Sequence, residues 1–505
     1  MVMWEMQKKR MGGALWRLLC TCVWLCGLGS CVASQETKRF QLQEGPSMGQ
    51  GRMSASLGVV RLADGRVVVV GGSPTEDPFL PVKGKQAIEV LDTKTGAWSY
   101  ADIDVPYQIS GRVFVLPDGR LFAFASVYVL NPDASDTEPG AGKADAAGAV
   151  SAVILDLEKK TATPLYRPQR NAVGQPPLKG DGPALLQRAF AQSVRLRDGR
   201  IVRAGGAVRY AYPDPEPRCE ASRCRYCYGG ECKPFSSSQD HFCREVKDCP
   251  YVKGQRKILQ SSIVEVYTPP DAAHPLGQVR VLSLPEGRQD LGMLELPDGR
   301  VLLVGGQGEQ GLGTNKVYDS TLFLDLGTGL FAEGPRMRIG REDLSIALLD
   351  NGEVLMTGGT DAEGRTLNVT EILNPLTGTI RDGEPMSEPR EDHLPIRIGG
   401  WLVFFGGESN DKEDQILNSA EIFDAKDGRY LGSFLLFRRT DVLDDELCPN
   451  TKGYAGIDDF GVVSLDVNRV LLVGGQQGCQ DADGAYISAG KGNKRTLLVI
   501  LGDRK

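Results

Sequence analysis

The chain has 505 residues and a formal charge of -7, from 58 Lys+Arg against 65 Asp+Glu, with 62 Gly, 29 Pro, 12 Cys and only 3 His. Glycine stands well above the usual ~7% while proline is ordinary and no G-X-Y period occurs, which excludes collagen and low-complexity disorder and points to many turns. An acidic chain with no basic block beyond Lys8, Lys9 and Arg10 lacks the electrostatic footprint of a nucleic-acid binder.

Residues 1–30 place Lys8, Lys9, Arg10 and Arg17 before the apolar run Leu18 to Leu28, the layout of a secretory signal peptide. That run is too short for a helix to cross a ~30 Å hydrocarbon core. Its end, Leu28-Gly29-Ser30-Cys31, resembles the bacterial lipobox. The resemblance implies cleavage before Cys31, lipidation of its thiol, a tether over residues 31–38, and attachment to the bacterial cell envelope, at the outer membrane or cell surface. An ordinary signal cut after Ala33 would instead discard Cys31. Four of the twelve cysteines (Cys20, Cys22, Cys26, Cys31) fall in this segment and eight remain in the body, an even number as disulfide pairing requires. Losing residues 1–30 also removes net positive charge, so membrane contact is expected through the lipid only and not through basic adhesion.

From there on one pattern repeats: an apolar strand, a turn, a second apolar strand, then a glycine pair. The copies are LADGRVVVVGG (62–72), LPDGRLFAFAS (116–126), LRDGRIVRAGG (196–206), LPDGRVLLVGG (296–306), LDNGEVLMTGG (349–359), IGGWLVFFGG (398–407) and LDVNRVLLVGG (465–475). Asp-Gly and Asn-Gly suit a two-residue type I′ hairpin, which needs φ > 0 at both central positions. A third strand and a polar turn follow most copies, as in AIEVLDTKTGAW (87–98) and STLFLDLGTGLF (320–331), and a fourth short strand comes next. Four antiparallel strands per unit predict the blade of a β-propeller.

The turns step by 54, 80, 100, 53, 48 and about 68 residues, and steps near ~50 match one blade. DGRVxVxGG followed by a strand and a late aromatic (Trp98, Phe331, Tyr430) resembles the Kelch repeat over residues 39–503. The resemblance implies an all-β, Kelch-type propeller of seven four-stranded blades. The seventh copy ends one strand short, and the N-terminal segment Arg39 to Gln43 is expected to complete it. Six blades with a stray hairpin is the competing arrangement. Ala125-Ser126 in place of the glycine pair and Gly399-Gly400 in place of the turn leave the second and sixth blades less secure in register.

The long third step reflects a Cys-rich insertion over 210–255 within blade three, holding Cys219, Cys224, Cys227, Cys232, Cys243 and Cys249. With almost no apolar run it cannot build a core, so disulfides among these six are expected in an exported chain, by any of fifteen connectivities. Cys224-x2-Cys227 with His241 gives only partial zinc spacing. Cys448 and Cys479 flank blade seven on loops of one face, where the ~5.5 Å Cα separation of a disulfide is within reach; two free thiols are the alternative.

Three entering loops begin alike, with Arg288-Gln289-Asp290, Arg341-Glu342-Asp343 and Arg390-Glu391-Asp392, and blade seven offers Asp458-Asp459. They are expected to ring the channel mouth. There Arg288, Arg341 and Arg390 suit a carboxylate or sugar acid, and Asp290, Asp343 and Asp392 suit hydroxyls or a hard cation; inter-blade salt bridges are the plainer role. His241, His274 and His393 read as surface or packing residues. The copper-radical oxidases similar to Kelch proteins need two His and a Cys-Tyr cross-link, a set hard to assemble here. No Gly-x-Ser-x-Gly, phosphate loop or His-Glu-x-x-His occurs. The expectation is therefore a non-enzymatic envelope lipoprotein, without catalytic residues, cofactor or metal, that binds a protein or glycan partner through its loop face and insertion. The alternatives are a sugar-acid epimerase-like enzyme working at the channel mouth and a structural part of an envelope assembly.

Overall fold

A computed structural model describes residues 39–53, 57–72, 84–105, 109–125, 150–166, 188, 190–211, 216–220, 223–228, 231–234, 256–309, 315–410, 415–437, 454–480 and 486–502. Cys31, Cys243, Cys249, Cys448 and His241 lie outside them. Seven four-stranded antiparallel sheets form a β-propeller. Blade one comprises Gly58–Arg61, Val67–Val70, Ile88–Asp92 and Ala97–Tyr100, and blade four Gly292–Glu295, Val301–Val304, Thr321–Leu324 and Phe331–Glu333. The inner strands of successive blades touch all the way round, the seventh against the first.

The sequence pattern explains the layering. In blades one and four the second strand is buried on both faces, as VVVV and VLLV, whereas the outer strand shows only partial burial. A strand clamped between two neighbouring blades has no solvent face, so it reads as an unbroken apolar run instead of an alternating one. The buried apolar side chains divide into seven clusters, one per blade junction.

Closure follows the expected route. Gly461–Ser464, Arg469–Val473 and Thr496–Leu501 make three strands of blade seven, and Phe40–Glu44 pairs as the fourth with Phe40 opposite Leu501 and Glu44 opposite Leu497. The N-terminal strand also packs Phe40 on Phe434 and Trp401 of blade six. Blade two carries a register shift between Ile109 and Val113, while the Gly399-Gly400 hairpin pairs regularly from Leu394–Phe405 to Ile398–Trp401.

The Asp-Gly turns differ from the two-residue form. Of their residues only the glycines, such as Gly65, Gly119, Gly199 and Gly299, have positive φ. Leu62 N–H donates to Arg66 O and Gly65 N–H to Leu62 O, which is a three-residue loop with a left-handed glycine at its end. Here Asp64 needs no left-handed backbone, because its carboxylate accepts the Arg66 N–H and guanidinium. The same staple joins Asp118 to Arg120, Asp198 to Arg200 and Asp298 to Arg300.

Candidate functional site

The glycine pairs position the opposite end of the blades. Gly305 and Gly306 both have positive φ, and a Cβ on Gly305 would sit 2.3 Å from Arg341 O. That close approach lets Gly306 N–H donate to Arg341 O, as Gly206 does to Arg288 O and Gly359 to Arg390 O. Each glycine pair thus docks the loop entering the next blade and fixes where its Arg-x-Asp triplet falls.

The structure then separates the two ends of each triplet. Arg288, Arg341 and Arg390 are at most 2% exposed and turn into the blades. Arg341 pairs with Glu371 of the third strand and donates to Gly358 O and Val369 O. Arg390 pairs with Glu421 and donates to Gly406 O; Arg52–Glu89 and Arg188–Glu265 repeat the arrangement. Blade four has no such Glu, and Arg288 instead lies 4.0 Å over the Tyr318 ring and donates to Ser320 Oγ.

The aspartates stay at the mouth. Asp290, Asp343, Asp392 and Asp459 have φ of 52°, 50°, 54° and 53°, and Phe190 takes the same conformation in blade three. Asp290 N–H donates to Phe190 O, Asp343 N–H to Asp290 O and Asp392 N–H to Asp343 O. The mouth is therefore strung together by left-handed residues bonded blade to blade. In blade seven Ile457 replaces the arginine, its carbonyl accepting the Gly407 N–H, and Asp458 follows at 4% exposure.

These carboxyls crowd one another. Burial raises Asp290 to about 7, with Glu342 adding to it. Burial also takes Glu342 to about 7, helped by Glu391 and opposed by the Gln307 amide that donates to it at 2.8 Å. Asp343 is pushed well up by burial and then by Asp392, Asp290 and Glu342. Asp392, which touches channel solvent, is pushed well up by its protein surroundings and by Asp459 and Asp290. Asp458 follows, through burial, Asp459 and Asp392. Oxygens of Asp290, Glu342 and Asp343 lie within 4.8 Å of one another.

Short hairpins raise a wall beside the mouth. They continue past the glycine pairs in blade three (Ala207–Ala211 with Arg256–Gln260), blade four (Gln307–Glu309 with Asn315–Val317) and blade six (Glu408–Ser409 with Gln415–Ile416). Blade seven adds Tyr454–Asp458, Gln476–Gln480 and Tyr486–Gly492. Bridges Gln289–Gln307, Glu342–Thr360 and Glu391–Glu408 tie the entering loops to this wall. The Cys-rich insertion leaves from the blade-three hairpin, and its strands Glu216–Glu220, Arg223–Tyr228 and Glu231–Pro234 form a small sheet.

His393 is buried with Nε2 against Thr357 Oγ1, and burial pushes its pKa well down, whereas His274 sits exposed beside Asp271. Sequence reasoning singled out the aspartates but missed Glu342 and Gln289 as members of the same cluster. The only signal was the middle position of the triplet, Gln or Glu in each. No family model matches the chain, and no curated protein matches it.

Proposed function

We propose that the protein is an exported Kelch-type propeller of the bacterial cell envelope, anchored through a lipid on Cys31, that captures a protein or glycan partner on its loop face. The carboxylate mouth forms the floor of the binding cup, and the 210–255 insertion, closed by disulfides, forms part of its rim; a Cys448–Cys479 bridge would brace blade seven on that face. One observation carries this reading. Five carboxyls with raised pKa converge at one end of the channel, and the neighbouring charges that act most strongly on them are all negative. The buried Arg–Glu pairs brace single blades and the aspartate backbones bond blade to blade, which leaves the side-chain carboxyls as the part of the mouth that can meet a partner, and clustered carboxyls with perturbed titration mark a candidate functional site.

The test is a glycan-array and envelope pull-down screen with the full chain, the 210–255 deletion and an Asp343→Asn/Asp392→Asn variant. Capture is expected to fall in both variants while unfolding stays cooperative; capture indifferent to both would overturn the reading. In fractionated cells Cys31→Ser is expected to leave the membrane fraction, and unchanged fractionation would defeat the anchor.

An epimerase-like activity is favoured by one observation, the titration of Asp290 and Glu342 near neutrality, where a general acid or base works best. Against it, the arginines that would grip a sugar acid are buried and engaged. Solvent deuterium entering a hexuronic acid in the presence of the full chain, and lost in Glu342→Gln, would move the reading to the enzyme.

A further inference from the structure

We propose that the face opposite the channel mouth, built from the hairpin turns, rests on the bilayer and dips its apolar tips Leu330, Leu376 and Val467 into the headgroup region. The inference rests on the lipid at Cys31 and concerns a different face from the one assigned to partner capture.

Strand direction decides which face the tether leaves. In blade seven the inner strand Gly461–Ser464 starts beside the mouth residues Asp458 and Asp459 and runs to its hairpin turn, and each neighbouring strand is antiparallel to the last. Thr496–Leu501 therefore ends, and Phe40–Glu44 begins, at the turn face, with Phe40 opposite Leu501. The backbone contacts agree. Gly502 N–H donates to Arg39 O, Leu501 N–H to Asn468 O and Gly399 N–H to Val467 O, so the chain enters the ring among the hairpin turns of blades six and seven. Seven residues, Val32 to Lys38, separate Cys31 from Arg39, and even fully extended that stretch reaches at most ~28 Å. A lipid on Cys31 thus holds the turn face, and not the mouth, nearest the membrane.

The side chains on this face suit the contact. Leu376, Leu330 and Val467 are the three most exposed large apolar residues among those described, at 84%, 70% and 69%. Leu376 tips the turn between Thr370–Asn374 and Thr379–Asp382, and Leu330 the turn between Thr321–Leu324 and Phe331–Glu333. Val467 tips the hairpin between Gly461–Ser464 and Arg469–Val473. In a four-stranded meander all three turns fall at the end remote from the mouth. Of the other exposed apolar residues, Tyr100, Val281 and Leu435 lie on outer strands and Phe190 stands alone at the mouth. A single exposed leucine is ordinary, but three tips on the face that carries the tether supply the buried apolar area on which interfacial binding depends. Beside the chain's entry Arg39 lies 5.4 Å over the Trp401 ring, and tryptophan settles at headgroup level.

Charge points the same way. The hairpin aspartates of blades one, four, five and seven are each neutralised by an arginine, as Asp64–Arg66, Asp298–Arg300, Asp350–Arg397 and Asp466–Arg469. The mouth instead groups the carboxyls of Asp290, Glu342 and Asp343, which an anionic leaflet repels.

The test is photolabelling of the full chain, purified with its lipid from an exporting bacterium and reconstituted in phosphatidylethanolamine–phosphatidylglycerol vesicles that carry a diazirine near the top of the acyl chain. After flotation and irradiation, mass mapping is expected to place lipid adducts on peptides covering 325–330, 375–378 and 465–468, with none on the mouth loops 288–290, 341–343 and 390–392. A Leu330→Ser/Leu376→Ser/Val467→Ser variant should still float and lose most of these adducts. Its three side chains are exposed, so the fold is kept, which circular dichroism checks. Flotation with adducts on the mouth loops, with adducts spread evenly over both faces, or with turn adducts that the triple substitution leaves untouched would overturn the membrane face alone. Failure of the full chain to float would overturn the anchor and the membrane face with it.

Discussion

Arg341 and Asp343 are two residues apart and do opposite work. The guanidinium is sealed inside blade five against Glu371, and its pKa is lowered by burial in spite of that partner. Removing one member of a buried pair strands the other, at about 3–5 kcal/mol. Glu371→Ala and Glu421→Ala are therefore expected to destabilise by that order in urea unfolding, where a loss under about 1 kcal/mol would show the pairs to be incidental. The Arg-x-Asp triplet was legible in the chain, but its division between core and mouth was not. Nothing in the residue order says that Glu371, 30 positions downstream, waits behind the arginine. That partner becomes visible only once the third strand of the same blade is folded against the second.

At the level of strands and turns, the repeats were readable because a propeller writes the same local instructions seven times. The apolar second strand, the Asp-Gly turn and the glycine pair each answer a local demand, so blade number and ring closure followed from the pattern. The turn class did not. Both Asp-Gly loop lengths suit the same residues, and the bonding of Leu62 to Arg66 together with the positive φ at Gly65 but not Asp64 distinguishes them. The wall strands were also illegible, being two to seven residues long and without period. The closing strand carries its own prediction. Deleting Phe40–Glu44 uncovers the edge of Thr496–Leu501, whose sequence TLLVIL is an unprotected apolar strand. Size-exclusion chromatography with light scattering should show aggregation; a monodisperse product would mean that the ring closes by other means.

Across the whole molecule, the mouth sets how stability follows pH. Asp290 and Glu342 titrate at about 7 in the folded chain, against roughly 4 when unfolded. Glu342, Asp343, Asp392 and the Gln289 amide face Asp290, while Glu391 and the Gln307 amide face Glu342. Between those values the folded chain holds more protons, so stability falls as pH rises. His393, with its pKa pushed well down, acts in the opposite sense below about 6.5. An Asp290→Asn/Glu342→Gln variant isolates the carboxyl contribution. Its advantage in melting temperature over the parent should grow from about pH 5 to about pH 8, and an advantage that shrinks would contradict the arrangement.

The pairing of the ring's first and last strands separates chain order from blade order. Phe40 lies opposite Leu501, and Gly502 N–H donates to Arg39 O at 2.8 Å. The first and last strands of the ring are thus neighbours on two rungs of one sheet, and in a propeller cut to residues 39–502 a linker of a few residues would join them without disturbing a blade. The order in which the blades are synthesised is then separable from the order in which they stand. A chain reopened at the exposed Thr377-Gly378 turn should rebuild the same ring, with its seam moved to another blade and its mouth unchanged.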